Sequence, residues 1–259
     1  MLTPRNVLIF LSTKYKGDWD LIYKAISSKE KLLEEEVNQV VNNMKCYATT
    51  LIDEDYPEIL KRYHRPPFVI FYYGDLSLIR DSKNILAVVG SRKSTSYGEK
   101  ATRHFVSSLA KENIIISGLA LGIDSIAHNE TIKNNGKTIA VLGSGIDYCY
   151  PRSNVLLYEK IKNEHLLLSE YPNEVPPSSE HFPFRNRLIS GLAWGVFVPE
   201  AYEKSGTSIT VGHAVYQGKE VMCLPHEYNK KSYNNRLIKE GAVLVEGPEQ
   251  VIEQCPNHL

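Results

Sequence analysis

The sequence predicts an α/β protein: a doubly wound, mostly parallel sheet preceded by a small N-terminal helical domain. Three observations carry that expectation. From residue 85 onward seven short apolar runs recur, with helix-capable stretches between them. The runs are continuous and rich in β-branched residues, as parallel strands covered on both faces should be. Glycine-rich loops follow the first three runs and lead toward helices or turns.

The first 45 residues predict short helices. Pro4 suits a first turn ahead of Val7, Leu8 and Leu11, a second helix is expected over about residues 18–26, and a third over about 28–44. Helices this short need tertiary partners to persist, so residues 1–45 are expected to form a small helical domain. Glu34, Glu35 and Glu36 are expected on a solvated face. Residues 46–84 break the pattern with Pro57, Pro66 and Pro67, and residues 68–73 form an aromatic strand candidate ended by Gly74. This stretch is expected to connect into the sheet domain, its aromatics packing on that domain rather than stacking on bases.

Residues 85–259 carry the sheet. Strands are predicted at 85–89, 114–116, 138–142, 166–168, 195–198, 220–223 and 243–245. Between the first two, residues 98–111 predict a helix with Phe105, Leu109 and Ala110 as a partial apolar stripe. Right-handed crossovers put the loops that follow these strands along one edge, and function is expected there.

Composition narrows the classes. The 259 residues carry 30 basic and 30 acidic side chains, 12 of each up to Asn84 and 18 of each after it. A protein covered by nucleic acid usually carries excess positive charge, so any such contact must be a local patch. The four cysteines, Cys46, Cys149, Cys223 and Cys255, form no CxxC and no Cys/His cluster, which predicts reduced thiols, no metal site and a cytoplasmic protein. No signal peptide is recognisable, and no apolar run approaches the roughly 18 to 20 residues that span a bilayer.

The post-strand loops are closely specified. Gly90-Ser91-Arg92 follows the first strand, Ser117-Gly118-Leu119-Ala120-Leu121-Gly122-Ile123-Asp124 the second, and Gly143-Ser144-Gly145-Ile146-Asp147 the third. Glycine admits a close anion, and hydroxyls or free N–H groups at a helix start can hold a phosphate. The steric needs of tight turns explain any one such loop; three on consecutive strands favour phosphate. GxGxxG is absent after the first strand, and no Gly-Lys-Ser/Thr loop occurs, so hydride transfer and ATP hydrolysis are disfavoured and no cofactor is expected.

Further along, Phe182-Pro183-Phe184-Arg185-Asn186-Arg187 opens a helix. Guanidinium forks hold phosphates and an aromatic ring can stack on a base; the alternative is that both arginines pair with carboxylates such as Asp124 or Glu200. Asp124 would repel phosphate and is expected to orient an arginine or cap backbone N–H groups. Ser205-Gly206-Thr207 starts another helix, as a cap or a further anion contact. Ser117, His128 and Asp124 make a triad only on paper, because no GxSxG elbow frames the serine, and His128 and His213 are expected to be structural.

Together these motifs resemble the DNA-processing protein A family, also called Smf. The resemblance runs from Asp53, Tyr56 and Pro57 through the three glycine loops, Ala127-His128, Tyr150-Pro151, Asn154 and Ser169-Glu170-Tyr171-Pro172. It continues through Phe182 to Arg187, Glu200-Ala201, Ser205-Gly206, Asn235 and Gly241-Ala242. It implies an extended Rossmann-like domain that binds and protects single-stranded DNA and loads the RecA recombinase onto it in natural transformation. It also implies a homodimer and no catalytic activity. The expected DNA contacts are Gly90, Ser91, Arg92, Gly118, Leu119, Ala120, Gly122, Ile123, Asp124, Gly143, Phe182, Arg185, Asn186, Arg187, Ser205, Gly206 and Thr207, with Arg92, Arg185 and Arg187 converging on one patch.

Two departures from the family pattern stand out: Pro225-His226 where the family has Pro-Gly, and Tyr233 where it has glycine. Because the chain ends soon after the last predicted strand, the C-terminal winged helix of many members is expected to be absent. The rival readings are a nucleotide-binding phosphoribohydrolase, which would want a Pro-Gly-Gly-x-Gly-Thr loop, and a protein-interaction scaffold with a decayed DNA site.

Overall fold

All seven apolar runs after residue 84 form parallel strands. In this computed structural model, which describes residues 2–80, 82–203, 205–227 and 232–256, they are β3 (Ile85–Val88), β4 (Ile114–Ser117), β5 (Thr138–Val141), β6 (Leu166–Ser169), β7 (Gly195–Val198), β8 (Glu220–Cys223) and β9 (Val243–Leu244). Two further strands, β1 (Tyr47–Thr50) and β2 (Val69–Gly74), precede them. The sheet order is β1-β2-β6-β5-β4-β3-β7-β8-β9. From β3 the chain winds outward to β6, then returns to the other side of β3 to lay down β7 to β9. That reversal makes the loops after β3 and β7 diverge, the usual ligand crevice of a doubly wound sheet.

The helices are α1 (Pro4–Lys14), α2 (Trp19–Ser27), α3 (Glu34–Asn42), α4 (Glu58–Lys61), α5 (Ser96–Leu109), α6 (Ile123–Lys133), α7 (Val155–Glu164), α8 (His181–Leu192), α9 (Gly206–Tyr216), α10 (Tyr233–Lys239) and α11 (Pro248–Ile252). Strand side chains alternate between two cores, as the pleat requires. Ile85, Ala87 and Val89 pack with Leu188 and Ile189 of α8 and Val211 of α9. Leu86 and Val88 point the other way, against Phe105, Val106 and Leu109 of α5. A separate cluster of Phe10, Leu11, Ile22, Ala25 and Val37 holds α1 to α3 together.

Two features differ in detail from the sequence reading. The segment 46–84 adds two antiparallel strands to the sheet, β1 on β2 and β2 on β6; four-residue β1 has too little periodicity to stand out in the sequence. The third helix begins at Glu34 rather than near Ser28. Lys29 takes a left-handed φ of 50°, and Glu30 is tied to Lys14 Nζ at 2.5 Å and to the Tyr15 hydroxyl at 2.6 Å, so the chain turns before it coils. Glu34, Glu35 and Glu36 then occupy the first turn of α3, where the helix dipole favours carboxylates.

Candidate nucleic-acid interface

The loop after β3, the loop after β7, the start of α9 and the first half of α8 enclose a cavity of about 380 Å3 at the topological switch point. Gly90, Ser91, Arg92, Ala120, Asp124, Arg185, Asn186, Ser205, Gly206 and Thr207 line it, so the structure gathers ten of the sequence-predicted residues there. A second cavity of about 440 Å3 adjoins it, sharing Arg92, Asn186 and Gly206 and adding Phe182.

The four cations of this region divide into two kinds. Arg92 and Lys93 are exposed, and among the described residues neither pairs with a carboxylate. The Arg92 guanidinium lies 5.3 Å from the centre of the Phe182 ring, a cation–π contact. Lys93 was missed by the sequence reading because a lysine beside a glycine loop has no motif of its own. Arg185 and Arg187 are buried instead.

Arg185 spans the ends of two strands. Its Nη1 donates to the carbonyl of Gly118 at 2.9 Å and to that of Val141, and its Nε donates to Asn186 Oδ1 at 3.1 Å. Burial lowers its pKa to about 10, an effect the Asp124 carboxylate opposes, so the group stays charged at neutral pH. Asp124 Oδ2 accepts from the backbone N–H groups of Gly118 and Ala120 at 3.2 and 3.4 Å. Burial raises the Asp124 pKa, and Arg185 and those N–H groups pull it back.

Arg187 turns away from both cavities. It grips Glu170 through two bonds of 2.7 Å and donates to the Arg65 carbonyl at 2.9 Å. Its guanidinium also covers the Phe184 ring at 3.9 Å. Of the three arginines expected to converge, Arg92 and Arg185 meet at the cavity and Arg187 does not. An Arg-x-Arg spacing puts the two side chains about 200° apart around a helix, and that geometry was available in the sequence.

The glycines serve packing first. A Cβ at Gly90 would fall 2.6 Å from the Glu200 carbonyl, one at Gly118 2.7 Å from Arg185 Nη2, and one at Gly143 2.6 Å from Phe182 Cδ1. Gly122 has a φ of 73°, which favours glycine, and it leads into α6. Leu119 and Ile123 are fully buried, so they shape the loop from beneath. Gly206 is different: nothing lies within 4 Å of the position a side chain would take. It opens α9, whose first-turn N–H groups favour an anion, and Ser205 Oγ beside it is enclosed without a hydrogen-bond partner among the described residues. Asn186 Nδ2 donates to the Gly206 carbonyl at 3.3 Å, tying α8 to this turn.

No triad forms from Ser117, His128 and Asp124. Ser117 Oγ donates to the Val88 carbonyl at 2.7 Å. Thr138 Oγ1 donates to the Ile115 carbonyl at 2.7 Å, so it must accept from His128 Nδ1, also at 2.7 Å. Among the described residues no group of three or more metal-ligating side chains occurs, and no helix is long and apolar enough to cross a membrane.

Comparison with known proteins agrees with this architecture. The sequence model of the DNA recombination-mediator protein A family matches residues 47–256. DNA processing protein DprA of Streptococcus pneumoniae (strain ATCC BAA-255 / R6) is 41% identical over 212 residues, covering 81% of this chain and 74% of the relative. DNA processing protein DprA of Bacillus subtilis (strain 168) is 39% identical over 207 residues, 79% of this chain and 69% of the relative. The X-ray structure of DNA processing protein A from Streptococcus pneumoniae superposes over 97% of this chain and 98% of its own, with a TM-score of 0.84 and 33% identity. That of Helicobacter pylori covers 82% and 95%, with a TM-score of 0.72 and 30% identity. The helices, the mostly parallel sheet and the ordered motifs have one account: the chain belongs to the DNA recombination-mediator protein A family.

Proposed function

We propose that the switch-point cleft binds single-stranded DNA, and that the protein protects such strands and loads the RecA recombinase onto them in natural transformation. The observation that carries this reading is the exposed pair Arg92 and Lys93 lining the cleft, without carboxylate partners among the described residues, with Arg92 set over the Phe182 ring of the adjoining cavity. Cations hold the phosphates, and a ring stacks on a base without reading its identity. The related Helicobacter pylori protein has a single-stranded DNA binding mode of its own, which supports the same use here. The neutral net charge fits a narrow contact confined to one edge of the sheet.

The DNA-binding set is Gly90, Ser91, Arg92, Gly118, Ala120, Gly122, Asp124, Gly143, Phe182, Arg185, Asn186, Ser205, Gly206 and Thr207; the buried Leu119 and Ile123 and the Glu170-bound Arg187, expected in it from the sequence, serve the fold instead. Within it Arg92, Phe182 and Gly206 meet the strand, and Arg185, Asp124 and Gly118 hold the loop. The function is non-catalytic: the hydroxyl of Ser117 and the Nδ1 of His128 are committed to structural bonds. The free cysteines suit a cytoplasmic setting. Residues 1–45 act as a small helical domain, supported by a cluster of their own side chains, joined through 46–84, which adds β1 and β2 to the sheet, to the domain 85–259. A homodimer is supported by the exposed Val215 and Tyr216 at the end of α9; a monomer mass at all concentrations in analytical ultracentrifugation would refute it.

The test is a titration at one stated salt concentration with labelled single strands, matched duplexes and a nucleoside monophosphate. Preference for the single strand is expected. Equal affinity for the duplex, or tight binding of the monophosphate alone, would overturn the reading.

A further inference from the structure

We infer that Tyr150 forms a second nucleobase-stacking position beside Phe182, so that the strand runs from the switch-point cavity across the adjoining one. The inference rests on the single-stranded DNA reading above and extends it to a residue outside the predicted contact set.

Three observations lead there. Tyr150 is a large aromatic residue with 44% of its surface exposed, and its hydroxyl has no hydrogen-bond partner among the described residues. A tyrosine kept for packing would be covered, or would bond through its hydroxyl. Its ring lies 5.7 Å from that of Phe182, tilted by 39°, and Arg92 lies 5.3 Å from the same Phe182 ring. Phe182 therefore has both a cation and a second ring within 6 Å. Finally, the cavity they border is lined by Ile209, Ser178 and Ser179 as well, and Arg92 is its one charged lining residue. A wall with rings, hydroxyls, a cation and no carboxylate suits a base followed by its phosphate.

The arrangement also says which ligand feature each residue meets. Phe182 packs directly on Gly143, where a Cβ would fall 2.6 Å from its Cδ1. The spacing of the two rings is too small for a base to slip between them, because a sandwich needs two stacking gaps. A base therefore stacks on the exposed face of Tyr150, next to Phe182. Stacking of this kind tolerates any base, as a protein that takes strands of arbitrary sequence requires.

The experiment uses the full chain with Tyr150→Ala, Tyr150→Phe and Arg92→Ala. The probes are a labelled oligothymidylate and a strand of the same length with abasic sugars in place of nucleotides. Tyr150→Ala should weaken oligothymidylate binding by on the order of tenfold, while Tyr150→Phe keeps wild-type affinity. The log–log salt slope should not change with Tyr150→Ala, because stacking releases no counterions, whereas Arg92→Ala should lower it. On the abasic strand wild type and Tyr150→Ala should bind alike. Unchanged oligothymidylate affinity in Tyr150→Ala, or an equal loss on the abasic strand, would overturn the stacking position. If Arg92→Ala still lost affinity, the proposed function would stand without it. Absence of binding by the wild-type chain would overturn both.

Discussion

The Arg185 guanidinium occupies the space that a side chain at Gly118 would need. Nη1 bonds the Gly118 carbonyl at 2.9 Å, and a Cβ on residue 118 would fall 2.7 Å from Nη2. The glycine loop after β4 and the arginine of α8 are thus one structural unit. One of the three arginines expected to meet DNA is used to join β4, β5 and α8.

Arg185→Ala is accordingly expected to cost stability before it costs affinity. It strands the Gly118 and Val141 carbonyls and removes the cation nearest buried Asp124, a loss on the order of 3 kcal/mol. A thermal melt should show a drop of roughly 10 °C. Wild-type stability in this variant would show that the guanidinium is not structural.

Arg92→Ala should behave in the opposite way. The side chain is exposed and, among the described residues, pairs with no carboxylate, so stability should stay within about 0.5 kcal/mol of wild type. Affinity for single-stranded DNA should fall, and the log–log salt slope should decrease by about 0.7, the share of one phosphate on a single strand. Binding isotherms at several salt concentrations measure both.

Gly143→Ala tests the seating of Phe182. The added methyl would lie 2.6 Å from Cδ1 of the ring, so the half-buried ring must move off its seat. Weaker single-strand binding is expected with only a small change in melting temperature. Tight wild-type binding would mean that the position of Phe182 does not matter to the ligand.

His128 sets an acid limit. Burial lowers its pKa from the ordinary 6.5 to about 3, so the unfolded chain takes up a proton that the folded chain refuses. Its contribution is fully present above pH 6.5 and declines as pH falls from there toward 3, by about 1.4 kcal/mol per pH unit. Burial also lowers the pKa values of His165, His181 and His213, which act in the same direction. Urea unfolding at pH 7 and pH 5 should show this loss, and His128→Gln should show a smaller difference between the two pH values.

Glu170 and Arg187 form a pair with both side chains less than a tenth exposed. Arg187→Ala should destabilise by roughly 3–5 kcal/mol by leaving a buried carboxylate unpaired. Adding Glu170→Gln to that variant should restore part of the loss. A simple sum of two independent losses would argue that the pair is not coupled.

The sequence by itself determined the parallel sheet. Seven continuous β-branched runs with helix-length spacers admit few other folds, because strand burial on both faces and right-handed crossovers are general consequences of chain geometry. It also pointed to the edge where a candidate site is expected, since the loops after β3, β4 and β7 hold glycines, hydroxyls and cations. Only the tertiary structure decided what each of those groups does there. Arg92, Arg185 and Arg187 are the same residue type in similar motifs, yet one is exposed over the Phe182 ring, one bonds strand-end carbonyls and one is locked to Glu170. Lys93 had no local pattern to mark it, and the Tyr150-Pro151 motif carried no sign of a ligand; both reach the cavities because the loops after β3 and β5 border them in the folded sheet. The physical reason is range: periodicity and turn chemistry act over a few residues, whereas a charge is freed or committed by partners tens of residues away, 67 for Arg185 and Gly118.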